Sequence, residues 1–225
     1  MRERRATGMA AVLFTDLVGS TDLMTRVGEG AYDELRRAHF AALRHAVERA
    51  GGEEVKNTGD GVMATFGSVV DAIGGAVAMQ QATEGQARSA EAPLSIRVGV
   101  SLGEVTFEDG DVFGSPVVEA ARLVAAARPG QILTTVIARA LATGRSEFGF
   151  TDVGPMELKG LPEPVAACEV VWEPLPQSSV SLPTFLTDAG RIFVGRDDEL
   201  GRLEQQWKEA VAGERRAALL GGEPG

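Results

Sequence analysis

One cysteine, Cys168, stands in a chain of 225 residues, so an intramolecular disulfide is excluded. Its setting, "PVAACEVVW", reads as a buried strand thiol with no metal-ligand partners nearby, and a reducing cytoplasm is the expected compartment. Positive charge is scarce too. The 22 Lys and Arg face 32 Asp and Glu, a formal net charge of -10 that argues against a broad nucleic-acid footprint. Long apolar runs are missing: the basic start "MRERRATGMAAVLF" meets Asp16 far too early for a signal peptide or a membrane helix, so no membrane partner is expected. Histidine is confined to His39 and His45, six apart on one helical stretch and hence on different faces, which reads as two ordinary helix residues.

What is present suits a globular protein. With 44% hydrophobic and 24% charged residues, the chain can bury one large domain, or one domain and a fragment. Residues 9–15 are apolar and short, which predicts a central strand. From Gly30 to Ala50, Tyr32, Leu35, Phe40, Leu43 and Val47 recur near helical spacing, and Gly51 and Gly52 stop the helix. "EEVKNTGDGVMATF" then predicts a hairpin turning at "NTGDG", residues 69–83 a second helix, and "LSIRVGVSLGEV" the next strand pair. The resulting βαββαβ order predicts an α+β sandwich of the ferredoxin-like kind, its helices on one face of the sheet. A helix after Gly114, a strand at "GQILTT" and closing strands up to Trp172 extend it.

The expected domain is therefore 1–173. Residues 174–191, with three prolines and several Ser and Thr, have the composition of a linker. A new unit then occupies 192–225, with a helix carrying Leu200, Leu203 and Trp207 on one face, a short apolar strand and a Gly-rich end.

The chemistry gathers at two acids. In "AAVLFTDLVGST", Asp16 ends an apolar strand just ahead of a run of small and hydroxyl residues; Asp60 sits in the "TGDG" turn. Acids and glycines often do no more than end strands. Two acids at the ends of neighbouring elements also suit magnesium, which takes few protein carboxylates and fills its other positions with water and phosphate oxygens. Behind Asp16, the backbone at Val18 and Gly19 and the hydroxyls of Ser20 and Thr21 suit a triphosphate.

"VLFTDLVGST", "EVKNTGDGVMATF", "GDVFG" and "EAARL", in that order, resemble the class III nucleotide cyclases, over residues 9–172. The likeness is strongest to the actinobacterial type that sits ahead of signalling ATPase domains. It implies the cyclase fold, ATP as substrate, and two Mg or Mn ions held by Asp16, Asp60 and the backbone carbonyl of Leu17. It also implies that Lys56 and Asp111 read adenine, that Arg122 steadies charge on the reacting phosphate, and that Lys159 reaches the polyphosphate. Composite sites across a homodimer follow from the same resemblance, metal residues from one subunit facing base-reading and arginine residues of the other. One departure stands out: where the family commonly has an asparagine that orients the ribose, one turn before Arg122, this chain has Val118, which cannot donate a hydrogen bond. Glu119 points about 100° away from that position on a helix.

Two stretches mislead. "GGEE" at 51–54 suggests a diguanylate cyclase hairpin, yet its glycines end a helix and Val55 stands where that family has an aromatic residue. "FVGRDDEL" and "LLGGEPG" resemble the approach to a P-loop without its Lys and Ser/Thr, so the expectation is a piece of a longer protein carrying a C-terminal ATPase module. The leading function is an adenylate cyclase in intracellular signalling. An ATP-binding regulatory module, which Val118 favours, and a dimerisation scaffold are the alternatives.

Overall fold

In the computed structural model, residues 6–89, 94–145, 147–175, 197–211, 213 and 215–218 are described. The chain divides into two compact units, Met1–Pro176 and Gln177–Gly225. The first unit runs β1 (Ala6–Leu17), α1 (Ser20–Val27), α2 (Glu29–Arg49), β2 (Glu53–Asn57), β3 (Val62–Phe66), α3 (Val69–Ser89), β4 (Ile96–Glu108), β5 (Asp111–Phe113), α4 (Ser115–Ala126), β6 (Ile132–Thr135), α5 (Val136–Ala142), β7 (Gly149–Met156) and β8 (Val165–Val171). The sheet has eight strands in the order β2-β3-β1-β4-β6-β8-β7, with β5 paired to β4. Its first four strands realise the expected βαββαβ order, and β6, β7 and β8 are the extra C-terminal strands.

The helix predicted over 30–50 forms as α2, and its stop is the glycine pair. Gly51, at φ 71°, donates to Glu48 (3.0 Å) and Gly52 donates to Val47 (2.9 Å), closing the last turn. That ending turns the chain into β2 and disposes of the "GGEE" hairpin reading. His39 and His45 do occupy different faces: His39 is fully buried against α3, where burial pushes its pKa below the ordinary value, and His45 is exposed.

One expectation is corrected. Residues 96–105 of "LSIRVGVSLGEV" are not a strand pair but part of one strand of 13 residues, β4, paired antiparallel with β1 from Leu17↔Ile96 to Ala6↔Phe107. Helix α1 starts at Ser20, directly after Gly19. Helices α2 and α3 share one face of the sheet, as the βαββαβ order predicts, and α4, which follows that order, covers the other. Ala11, Leu13, Val98 and Val100 pack with Leu43, Val47, Ile73 and Met79 of α2 and α3, whereas Ala10 and Val12 on the opposite face pack with Ala120 of α4.

Glycine explains the second layer. A Cβ at Gly99 would lie 2.4 Å from the Ala120 carbonyl oxygen and 2.5 Å from the Val124 amide nitrogen, and one at Gly103 would lie 2.8 Å from Pro116. With Ser101 between them, these residues form a shallow lane in β4 along which the backbone of α4 lies. Helix α5, unassigned in the sequence reading, starts where the Thr135 hydroxyl accepts from Ala138 N–H (3.1 Å).

The second unit contains helix α6 (Asp197–Val211), the helix expected there, in which Trp207 is 71% exposed. Residues 215–218 have no regular structure. Residues 176–196, which hold most of the expected linker, and the terminal stretch 219–225 lie outside the described residues.

Gly99→Ala should destabilise the protein by about 1–3 kcal/mol, because α4 must be driven off the sheet by its own backbone. Gly30→Ala, in the first turn of α2 with no atom within 4 Å of the new methyl, should instead stabilise by about 0.5–1 kcal/mol. Urea denaturation of both variants checks the pair of signs.

Candidate active site

Strand β1 and the β2–β3 turn meet at their ends, joined by two hydrogen bonds. Thr15 is buried and its hydroxyl accepts from the Val62 N–H (2.9 Å), while Leu17 N–H donates to the Asp60 carbonyl (2.9 Å). Within the turn, Thr58 N–H donates to the Gly61 carbonyl (2.9 Å) and Gly59 N–H donates to the Asn57 side chain (2.8 Å). A Cβ on Gly61 would lie 1.8 Å from the Thr15 carbonyl oxygen, so only glycine lets the two segments touch. This seam puts Asp60 against the residue that follows Asp16.

Both acids have partners. Asp16 pairs with Arg97, its register neighbour on β4, and the Arg97 fork also reaches the Ala125 carbonyl at the end of α4 (3.4 Å). The Asp60 carboxylate accepts from the Ser20 hydroxyl (2.7 Å). Arg97 escaped the sequence reading because only the β1–β4 register brings residues 81 apart side by side.

Among the described residues no cluster of three or more His, Cys, Asp or Glu could hold a metal. The donor set at the seam is two carboxylates with neighbouring peptide oxygens, including the Leu17 carbonyl. That set fits a hard cation that keeps water and takes phosphate oxygens, and it fits no thiolate or imidazole metal.

The run behind Asp16 is narrower than expected as a phosphate cradle. Val18 N–H donates to the Ser95 carbonyl (2.8 Å), which commits that amide to the fold. Gly19 adopts φ 66° and ψ 32° as the N-cap of α1, and no side chain caps the helix. Ser20 and Thr21 thus begin α1 with first-turn amides that no side chain covers, at the positive end of a helix.

Lys56 and Asp111, 55 residues apart in sequence, meet: Lys56 Nζ lies 2.7 and 2.5 Å from the two carboxylate oxygens. A register shift in β2 beside Lys56 and the tight turn at Asp109 and Gly110 (φ 52° and 75°) bring the two strands' polar ends together. The Lys56 ammonium, followed by the Val112 N–H, holds the Asp111 carboxyl below the usual carboxylate range. The side chain is therefore an ionised acceptor beside a cationic donor.

Arg122 lies on α4 with its Nε buried and without a hydrogen-bond partner, and its guanidinium end is near Gly160 in the β7–β8 connection. Lys159, exposed, sits in the same connection. Val118, one turn before Arg122, is 41% exposed, whereas Glu119 accepts from the Ser101 hydroxyl (2.6 Å) under the helix. Among the described residues, no hydrogen bond or ion pair joins Lys56, Asp111 or Arg122 directly to Asp16 or Asp60.

Residues 3–170 match the family model of the adenylate and guanylate cyclase catalytic domain. A Rhizobium meliloti protein bearing the name "Putative adenylate cyclase 3" is 36% identical over 159 residues, which make up 70% of this chain and 27% of that protein. The chain thus spans about a quarter of that relative's length. Among solved structures, an adenylate/guanylate cyclase/hydrolase from Silicibacter pomeroyi aligns with a TM-score of 0.68 at 30% identity, covering 76% of this chain and 100% of that one. The adenylyl cyclase CyaB from P. aeruginosa aligns with a TM-score of 0.68 at 25% identity, covering 76% and 97%. The α+β architecture described above is the one these structures share.

Gly61→Ala should cost about 3 kcal/mol, since both the methyl and the atom it meets are fixed by backbone. Hydrogen exchange should show the Leu17 and Val62 amides losing protection together. Retained protection at both would mean that the seam does not depend on Gly61.

Proposed function

We propose that this chain, which belongs to the class III adenylate and guanylate cyclase catalytic domain family, converts ATP to 3′,5′-cyclic AMP and pyrophosphate. The observation that carries ATP over GTP is the Lys56–Asp111 pair. Adenine offers a donor amine at position 6 and an acceptor at N1, so Asp111 accepts from the amine and Lys56 donates to the ring. Guanine carries the reverse polarity at those two atoms. The pair is half-exposed and opens cheaply, because exposed ion pairs are worth only about 0–1 kcal/mol.

Asp16, Asp60 and the Leu17 carbonyl would hold two Mg or Mn ions, which when bound supply positive charge for the ribose 3′-hydroxyl and the polyphosphate. The protein's own groups do the rest. The first-turn amides of α1, from Ser20 and Thr21, with Gly19 giving clearance, receive the phosphates. Arg97 exchanges Asp16 for phosphate oxygens, to which its planar fork is suited. Arg122 stabilises charge on the reacting phosphoryl group, and Lys159 adds a contact to the polyphosphate. The 3′-oxygen bonds to the α-phosphorus as the bond to the bridging oxygen breaks; pyrophosphate leaves with that electron pair and the hydroxyl proton passes to solvent.

That no hydrogen bond or ion pair among the described residues joins Lys56, Asp111 or Arg122 to Asp16 or Asp60 is in keeping with sites shared across a homodimer. Residues 174–191 and 192–225 are read, from composition and from "FVGRDDEL", as a linker and the opening of an ATPase module that this domain serves. No helix among the described residues is long and apolar enough to cross a membrane, and the lone buried thiol suits the cytoplasm proposed for signalling by cyclic AMP.

A second reading is an ATP-binding regulatory module, favoured by one observation: Val118 offers no hydrogen bond at the position one turn before Arg122. Purified protein given Mn and ATP across a range of protein concentrations separates the two. Cyclic AMP that rises more steeply than protein concentration supports the cyclase; ATP binding without product supports the module.

Asp16→Ala and Arg122→Ala should each be inactive alone, and a mixture should regain part of the wild-type activity by rebuilding one complete site per heterodimer. Full activity of either variant, or of a protomer shown to be monomeric during the assay, would sink the composite site. Val118→Asn should raise turnover, up to about 10²-fold, by returning a ribose-directed donor. Because Val118 is 41% exposed, that change should leave the melting temperature almost unmoved. An unchanged rate with an intact fold would show that the missing amide does not limit the reaction.

A further inference from the structure

Asp60 and Asp16 are prepared differently. The backbone around Asp60 is fixed at both sides by the seam: Leu17 N–H on its carbonyl, Thr58 N–H on the Gly61 carbonyl, and Val62 N–H on Thr15. Its carboxylate, however, is on an exposed turn and would sample several rotamers if nothing held it. The hydroxyl that holds it comes from Ser20, 40 residues away, at 2.7 Å.

Ser20 is available for this because of where α1 starts. Serine at the beginning of a helix ordinarily caps it, accepting from an amide two or three residues on. Here Gly19 takes the cap position in the left-handed region, at φ 66°, and no side chain caps α1. Ser20 is the first residue of the helix proper, so its hydroxyl points away from the helix's own amides and reaches across to the turn. Arg97, the partner of Asp16, is a cation and must give way to any metal at that carboxylate. Ser20 is neutral, donates to one oxygen of Asp60, and leaves the other lone pairs open.

We infer that Ser20 is a positioning residue for the cation site, its hydroxyl orienting the Asp60 carboxylate and tying that carboxylate to the first turn of α1. This replaces the simpler expectation that the Ser20 hydroxyl contacts phosphate. The inference rests on the reading of Asp60 as a metal ligand. It makes cation binding and the phosphate-facing turn of α1 one mechanical unit, joined by a single hydrogen bond.

The test is direct Mn2+ binding to the full 225-residue chain by calorimetry, without nucleotide, for wild type, Ser20→Ala, Ser20→Thr and Asp60→Ala, with melting temperatures taken alongside. Removing a group that orients a metal ligand typically weakens affinity 10- to 100-fold, so Ser20→Ala should bind Mn2+ about tenfold more weakly at an unchanged melting temperature. Ser20→Thr, which keeps the hydroxyl, should bind close to wild type. Wild-type affinity in Ser20→Ala, together with loss of binding in Asp60→Ala, would overturn the role of Ser20 and leave Asp60 as a ligand. Equal weakening in Ser20→Ala and Ser20→Thr would also overturn it, since a merely structural role predicts no rescue by the hydroxyl. Wild-type binding in Asp60→Ala would remove the metal reading itself and the inference with it.

Discussion

The contact between the Thr15 carbonyl and Gly61 is the constraint on which the candidate site depends. A side chain of any size at position 61 would hold the β2–β3 turn away from the end of β1, and the hydrogen bonds from Leu17 and Val62 could not then form. Neither acid is anchored by its own side chain to the other. What brings them together is a backbone seam, made possible by one missing methyl group and one buried threonine hydroxyl. Rigid backbone at that point serves the chemistry better than a flexible contact would, because charged groups act on a substrate only when held in place before it arrives.

Each acid of the candidate site already has a partner: Arg97 for Asp16, Ser20 for Asp60, Lys56 for Asp111. On the proposed function, this pairing sets up ligand binding as an exchange of partners. A cation would take over Asp16 while phosphate takes over Arg97; an adenine edge would come between Lys56 and Asp111. Such exchanges conserve the local charge balance, so they ask for little reorganisation of the surrounding fold.

Local signals in the sequence were enough for α2, the β2–β3 hairpin and the βαββαβ order, because helical spacing, glycine stops and the "NTGDG" turn each act within a few residues. The errors share one cause. Gly103 in "SLGEV" reads as a turn, yet it is a glycine so that Pro116 can approach β4, and the strand continues through it. The second layer made by α4 is invisible to periodicity for the same reason: its partner is a lane of Gly99, Ser101 and Gly103, recognisable only once the helix lies on it. Within the site, Asp16 and Asp60 were legible as acids at element ends, and Lys56 and Asp111 only through family resemblance. Arg97 needed the strand register. Val18 was assigned to phosphate on composition, but its amide belongs to Ser95.

The rotation of α4 decides what its exposed residues can do. The helix backbone lies against Gly99 and Gly103, and the Ser101 hydroxyl holds Glu119 at 2.6 Å on the sheet side. Turning the helix to bring Glu119 to the outer position would break that bond, so Glu119 stays on the sheet side of α4. The outer position belongs to Val118, which touches the core too little to be held there by packing. Its identity is therefore decoupled from stability, unlike that of Ala120, Leu123 and Val124, which are buried on the inner face of α4. On the proposed function, a valine where the fold itself would accept a polar residue leaves the donor count of the site, not the geometry of the helix, as what sets this chain apart from the pattern its other site residues follow.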